Sequence, residues 1–227
     1  HFTFLLFVSL LVPQVARGSD YLWTNEISFV TDYYSRGISQ TREQPAPQLL
    51  SIVFNQTHGL YAGLFASRVE FNDNDQADQE VDLFFGLQKF IDGWSYRAGI
   101  IYYMYPNADK ELGYNFLEFD LGIGKQFDPF YVEASIKYSP NYFYETGKET
   151  YSKLEVKAPV VEKFHLKGHV AYRAIEHQDR FGVPDNYDWS LGGVFAISPS
   201  VALEAKYVDS SLDKNSGCID ICSARAI

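Results

Sequence analysis

The chain has 227 residues, a formal net charge of −10 and a pI of about 4.9. This acidic balance argues against a nucleic-acid-binding protein, which would need a basic surface. Aromatic residues make up 17% of the chain, yet the mean hydropathy is only −0.19. A bundle of membrane helices would need apolar runs of about 20 residues. A transmembrane β-barrel can be hydrophilic on average, because every second residue of a strand faces the lumen.

The one long apolar run lies at the start of the chain, over residues 2–12. Its length fits the hydrophobic region of a signal peptide and is too short for a spanning helix. Small residues at Ala16 and Gly18 favour cleavage after Gly18, so the sequence predicts a signal peptide over residues 1–18. An N-terminal anchor or a buried strand is the alternative. The positive n-region is nearly missing and the chain starts at His1, so we expect the sequence to be clipped at its N-terminus.

The remainder, residues 19–227, is a train of segments in which apolar and polar residues alternate, which is typical of β-strands. Two segments depart from clean alternation. The third is apolar on both faces until Arg68, and Phe84 interrupts the polar face of the fourth. The eleven full segments lie over residues 23–34, 48–55, 60–70, 80–88, 94–105, 117–124, 130–138, 150–158, 164–174, 188–197 and 201–209. A twelfth would begin near Ala224, so we expect the last strand to be cut short.

The connections between segments alternate in length. Long polar links follow the odd-numbered segments and tight turns follow the even-numbered ones, as in outer-membrane barrels with short periplasmic turns. One face of each segment is aliphatic or aromatic, with Tyr or Trp near its ends, and the other carries charges; a soluble barrel would have the opposite arrangement. The sequence therefore predicts an all-β transmembrane antiparallel up-and-down barrel of about 12 strands in a bacterial outer membrane, in contact with lipid. A soluble β-barrel or sandwich is the alternative.

A specific motif follows the first segment. It contains Asp32–Tyr33, then Arg36–Thr41 (RGISQT), then Pro45–Gln48 (PAPQ). The stretch 28–48 resembles the opening of the TorF-type porin family, a proteobacterial family of unknown function, and Cys222–Ala226 resembles that family's tail. The resemblance extends over essentially all of residues 19–227. It implies an outer-membrane barrel with a pore, and it implies no established substrate.

Charged residues on the inward faces are the candidate pore lining. Acidic ones lie mainly on the earlier strands and basic ones on the later strands, with Arg97, Glu133, Glu155 and Glu204 as exceptions. The predicted lining residues are Glu26, Asp32, Arg36, Glu80, Asp82, Arg97, Glu118, Asp120, Lys137, Lys153, Lys157, His165, Lys167, His169, Arg173 and Lys206. An acidic wall facing a basic wall would orient ions and polar solutes.

We therefore expect a porin that lets small hydrophilic solutes or ions diffuse passively, and the acidic net charge weakly favours cations. The alternative is a non-conducting structural or adhesive barrel, in which cross-strand ion pairs fill a narrow lumen. Arg36 has two interpretations. Gly37 permits a sharp turn, so the loop could present Arg36 to solute in the barrel mouth, or Arg36 and Gln40 could hydrogen-bond the loop to the wall.

An enzyme is the third class. His165 and His169 share a face but would lie about 13 Å apart along a strand, too far to bind one metal ion. Ser190 could pair with His169 across neighbouring strands, yet the Gly-x-Ser-x-Gly signature of a nucleophile is missing. We expect no catalytic residues, metal or cofactor. For Cys218 and Cys222, a local disulfide and two free thiols remain equally open.

Overall fold

The computed structural model describes residues 4–15, 20–71, 77–181 and 184–212. Within these ranges the chain forms a closed antiparallel barrel of twelve strands, which confirms the predicted fold class. The barrel strands are β1 (Phe4–Val15), β2 (Tyr21–Val30), β5 (Ala46–Asn55), β6 (Leu60–Arg68), β7 (Gln79–Ile91), β8 (Trp94–Met104), β9 (Phe116–Phe127), β10 (Phe130–Ser139), β11 (Glu149–Val161), β12 (Phe164–Ile175), β13 (Asn186–Ser198) and β14 (Val201–Ser210). A separate small hairpin consists of β3 (Tyr34–Ser35) and β4 (Ile38–Ser39).

Each barrel strand pairs with its neighbour in the chain, except that β2 pairs with β5 across the small hairpin. The ring closes through β1, which pairs with β14 on one side and β2 on the other. Helical structure in the described residues amounts to single turns at Lys110–Leu112, Phe143–Glu145 and Gln178–Phe181. No helix among these ranges is long and apolar enough to cross a membrane.

Strand β1 contains most of the apolar run in which the sequence predicts a signal peptide. Its register places Leu6, Val8 and Leu10 on the outer surface, where each is 44–45% exposed. The predicted cleavage point after Gly18, and the predicted twelfth segment near Ala224, lie outside the described residues. The signal peptide stays a prediction from the sequence, and in the structure the same run closes the barrel.

The alternation of long and short connections defines the two ends of the barrel. At the turn end, adjacent strands are joined by short connections such as Asp92–Gly93 and Asp128–Pro129. At the loop end, longer connections follow β2, β6, β8, β10 and β12. The segment boundaries predicted from the sequence agree with the strands to within a few residues, although β2 ends at Val30 and leaves Asp32 in the first long loop.

The outer surface is apolar because alternate residues of every strand point outward. Exposed side chains around the ring include Ile27 on β2, Phe85 on β7, Leu121 on β9, Val170 on β12 and Leu191 on β13. A continuous apolar belt of this kind on a closed barrel is suited to lipid, since closure satisfies all the strand backbone groups internally. The most buried apolar residues lie instead inside the barrel, at the loop end.

Candidate functional site

The first long loop, residues 31–45, folds into the barrel rather than away from it. Its hairpin turns at Arg36 and Gly37, both with positive φ (52° and 77°). A Cβ on Gly37 would come within 2.7 Å of the Asp188 and Ser210 side chains, so this turn sits directly against the inner wall of β13 and β14. Glycine meets both the backbone and the space requirement at this position.

The loop is braced internally by the carboxylate of Asp32. Ser39 Oγ and Thr41 Oγ donate hydrogen bonds to Asp32 Oδ1 at 2.7 and 2.6 Å. The Gln40 side chain, in contrast, donates a hydrogen bond within the loop to the carbonyl of Ile38, and the Gln40 backbone carbonyl accepts one from the Glu70 N–H in the loop after β6. The loop therefore has a defined shape of its own, with Arg36 at its tip.

Arg36 bridges the lumen. Its guanidinium forms ion pairs with Glu118 on β9 and Glu149 on β11. The same group lies over the rings of Tyr142 and Tyr151, with its Cζ 5.0 and 4.9 Å from their centroids. The Arg36 side chain is 7% exposed, and both carboxylate side chains are fully buried. Of the two interpretations of Arg36, the structure has the loop bonded to the wall through this residue.

The neighbouring carboxylates keep the Arg36 guanidinium positively charged. Burial by itself would lower the pKa of Arg36, but the carboxylates of Glu118 and Glu149 raise that pKa above its ordinary value.

A third carboxylate at the loop end, that of Glu80, accepts hydrogen bonds from two tyrosines. Tyr33 and Tyr105 each donate a hydrogen bond of 2.7 Å to Glu80. Burial, together with the charge of Glu80, raises the pKa of both phenols, so they remain donors.

Above Arg36, side chains from several loops form an aromatic cap. Phe143 stacks on Tyr114 with centroids 4.4 Å apart and meets Phe71 edge-on at 5.5 Å. Tyr105 packs against Phe143 at 5.3 Å. These rings come from the loops after β6, β8 and β10, so the cap ties together three loops that are far apart in sequence. Aromatic pairs in these geometries favour one another beyond their burial alone.

Below the Arg36 bridge the barrel is hollow. A cavity of about 660 Å³ has Arg36 in its ceiling and extends down to Arg97 and Gln88. Its walls differ in character. The side chains from β5–β8 are mainly apolar, and those from β10–β12 are mainly polar or basic. The lining residues include Leu50, Ile52, Phe54, Tyr61, Phe65, Phe84, Ile101 and Tyr103 on the first wall, and Ser135, Lys137, Tyr151, Lys153 and His169 on the second.

Most of the predicted lining residues occupy inward-facing strand positions, but they belong to different parts of the lumen. Arg36, Glu118, Glu80 and Asp32 belong to the closure at the loop end. The cavity is lined by Asp82, Arg97, Asp120, Lys137, Lys153 and His169. Arg173 is buried and donates to Asn186 at 2.8 Å. The remaining members, Glu26, Lys157, His165, Lys167 and Lys206, lie on inward positions of β2, β11, β12 and β14.

Ion pairs hold carboxylates on both sides of the lumen. Arg97 pairs with Asp120 and with Glu133, each at 3.0 Å. Glu155 is shared by Lys153 at 3.3 Å and Lys157 at 3.1 Å. On the predicted acidic wall Asp120 is therefore a paired carboxylate, whereas Glu133 and Glu155 are paired on the mainly basic side. Apolar side chains of β5 and β6 separate Glu26 from the carboxylates of β7.

The Ser–His pair considered from the sequence is present and has a third member. Ser190 Oγ lies 2.7 Å from His169 Nδ1, and His169 Nε2 lies 2.8 Å from Asp188 Oδ1. Tyr151 also donates to Asp188, at 3.2 Å. An acyl transfer site would also need donors aimed at an oxyanion. The backbone N–H groups of β12 and β13 are engaged in strand pairing here, so we interpret the chain of contacts as fixing the His169 ring.

Sequence reasoning missed the apolar wall of the cavity. Its signal was visible as the two departures from alternation, namely the third segment with apolar residues on both faces and Phe84 on the polar face of the fourth. In the structure these inward residues, such as Phe65 and Phe84, face the hollow and not lipid. Apolar residues at inward positions of these strands therefore mark one wall of the cavity.

The fold defines the class of protein as a closed antiparallel β-barrel, with twelve strands among the described residues. Residues 15–224 match the model of the family described as "Bacterial protein of unknown function (Gcw_chp)", and the chain belongs to this family. The TorF-type name is not carried by this match and stays a prediction from the sequence. A search of curated proteins found no match.

Three solved structures are similar to the chain in barrel architecture. The outer membrane protein OprD from Pseudomonas aeruginosa is 8% identical over 88% of this chain and 66% of its own, with a TM-score of 0.41, so the chain spans about two thirds of OprD. The NanC porin is 10% identical over 91% of this chain and 100% of its own, at 0.43. An outer membrane channel from Pseudomonas putida F1 is 11% identical over 91% and 94%, at 0.42.

Proposed function

We propose that this protein is an outer-membrane channel of a Gram-negative bacterium, through which small hydrophilic solutes or ions diffuse passively when the first loop is displaced. Lipid contacts the apolar belt, and the lumen provides the path. The proposal assigns the protein no catalytic step and no cofactor.

The observation that supports this proposal most is the combination of a hollow middle with a closure that is formed by loops at one end of the barrel. Charged and polar groups line one side of the cavity of about 660 Å³ and mainly apolar groups line the other, and a plain structural barrel has no need to leave such a space unfilled. Its ceiling depends on Arg36, a side chain on a loop and not on a barrel strand. Loops that close a site can open it on the microsecond to millisecond scale.

A non-conducting structural or adhesive barrel is the second candidate, and a specific observation favours it. Arg36 lies on the loop that follows β2 and pairs with two buried carboxylates on β9 and β11, on the opposite side of the ring, and the aromatic cap lies above it. Ion pairs across the axis are what a permanently plugged barrel would show. The two candidates differ in whether this closure ever releases.

The test is single-channel recording of the refolded protein in a planar bilayer under a salt gradient. A channel gives discrete current steps with a measurable reversal potential, whose sign gives the ion preference. Absence of current from both the wild type and Arg36→Ala, each shown to be folded by its β-sheet circular dichroism, would contradict the proposal and favour the non-conducting barrel.

A further inference from the structure

We propose that the cavity beneath Arg36 binds a small aromatic carboxylate. This inference rests on the proposed function, because it names the class of solute for the same lumen. It follows from the placement of the apolar wall, from two lysines on the other side, and from the size of the hollow between them.

The apolar wall is an unusual feature for the interior of a channel. Lumen surfaces of transmembrane barrels are ordinarily polar, yet Leu50 and Ile52 on β5, Phe65 on β6 and Phe84 on β7 all face the cavity. These residues are only partly buried and adjoin open space, so they do not fill the barrel. Apolar area left facing water is unfavourable, and a bound apolar body would remove that area from water.

The basic wall faces the apolar wall across the lumen. In the order of strands around the ring, β5 and β6 lie six positions from β11 and β12, so the two pairs are diametrically opposed. A solute in the cavity therefore touches both walls at once. One end of such a solute must be apolar, and the other must suit the side chains that β10 and β11 present.

Those side chains are Lys137 and Lys153, which lie on adjacent strands. In the register of β10 and β11, Lys153 is opposite Ser135 and Lys137 is opposite Tyr151, so the two lysines are diagonal neighbours on one face. Their side chains are 28% and 29% exposed, open enough to reach the cavity. Like charges this close repel each other, and an anion between them relieves the repulsion.

Local carboxylates leave room for that anion. Lys137 is 3.7 Å from Glu118, which is already engaged by Arg36, and Lys153 shares Glu155 with Lys157. Lys137 also donates a hydrogen bond of 3.1 Å to Tyr103. The two carboxylates in the cavity lining are Asp82 on β7 and Asp120 on β9, and Asp120, which is opposite Lys137 in the strand register, is held by Arg97 at 3.0 Å. The anion is thus expected on the β10–β11 side.

The body of the solute is expected to be aromatic. Phe54, Tyr61, Phe65, Phe84 and Tyr103 provide rings around the cavity, and rings favour offset or edge contacts with another ring. The volume of about 660 Å³ is within the range of about 300–1,000 Å³ typical of small-molecule sites, which are mostly apolar with a few placed polar groups. Charge, apolar area and size together indicate an aromatic monocarboxylate.

The experiment is an equilibrium binding titration on the folded, full-length barrel with three probes. Benzoate has both the ring and the charge, benzamide has the ring alone, and acetate has the charge alone. We expect benzoate to bind at least tenfold more tightly than either of the other two. Titrations of the wild type and of Arg36→Ala allow for a site that is reached only when the loop is displaced.

Variants distinguish benzoate binding in the cavity from a general effect of the protein's charge. Lys153→Gln should lower the affinity for benzoate about tenfold and leave that for benzamide unchanged, whereas Phe84→Ala should lower both. Lys148→Gln removes the same charge from an exposed position of a loop and should leave benzoate binding unchanged. Equal binding of the three probes, or no effect of Lys153→Gln, would overturn the inference.

The two proposals can fail separately. A barrel that conducts ions but does not prefer benzoate retains the channel and loses the carboxylate site. A barrel that binds benzoate through Lys153 but carries no current in either the wild type or Arg36→Ala retains the site and loses the channel.

Discussion

The loop end of the lumen and its middle are built on opposite plans. At the loop end, charges and rings are matched: Arg36 has two carboxylates, Glu80 has two phenols, and the aromatic cap is packed. In the middle, apolar and basic side chains face each other across an unfilled space. The loop end is thus stabilised by closely matched contacts of its own, while the middle has fewer such contacts and retains the space that we assign to a solute.

The first prediction compares the loss of stability at a packed position with the loss at a position beside the cavity, and it has the largest expected magnitude. Phe143→Ala removes a buried ring from the aromatic cap and should lower the free energy of unfolding by about 3–5 kcal/mol. Phe84→Ala removes a half-buried ring beside the cavity and should lower it by roughly 1 kcal/mol. Urea titrations of the refolded barrels measure both. Equal losses at the two positions would mean that the middle is as tightly packed as the loop end.

The second prediction compares a buried ion pair with an exposed one. Glu118→Ala leaves Arg36 with one carboxylate in a buried setting and should cost about 3 kcal/mol. Glu70 pairs with Arg68 and with Arg42 near the surface, so Glu70→Ala should cost about 0–1 kcal/mol. The same titrations compare them. A cost for Glu118→Ala as small as that for Glu70→Ala would show that the lumen network contributes little.

The smallest effect concerns the shape of the first loop. Asp32→Ala removes the acceptor for Ser39 and Thr41 and should cost about 2 kcal/mol, whereas Asp32→Asn retains an acceptor oxygen and should cost less. Unfolding titrations of the three proteins at the same pH give these differences.

The Asp32 carboxyl also makes a pH dependence testable. Burial raises the pKa of Asp32, so the folded state holds this proton more tightly than the unfolded chain does. Its contribution to stability is therefore present at acid pH and is lost as the pH rises through the raised pKa. Relative to Asp32→Asn, the wild type should lose stability as the pH rises through the pKa of Asp32. A gain of stability over this pH range would contradict the conclusion that burial raises this pKa.

The barrel was predictable from sequence, but the contents of its lumen were only partly so. Alternation in segments such as 130–138 fixes which residues face outward, because the side-chain period of a strand is two. The depth to which Arg36 reaches was not predictable, since it depends on a loop turning inward and on Glu118 and Glu149, which lie 82 and 113 positions away. The apolar wall was visible in the sequence at Phe84, an apolar residue on the polar face of its segment, but the alternation pattern gives no reason for such a residue.

The closure by Arg36 is tested most directly by single-channel recordings of Arg36→Ala and Arg42→Ala beside the wild type. Both variants remove one arginine from the same loop, but Arg42 is on the outside, 43% exposed and 3.8 Å from Glu70. We expect a clear rise in the fraction of time that Arg36→Ala conducts, with Arg42→Ala unchanged from the wild type. Equal behaviour of the two variants would contradict the conclusion that Arg36 holds the lumen shut.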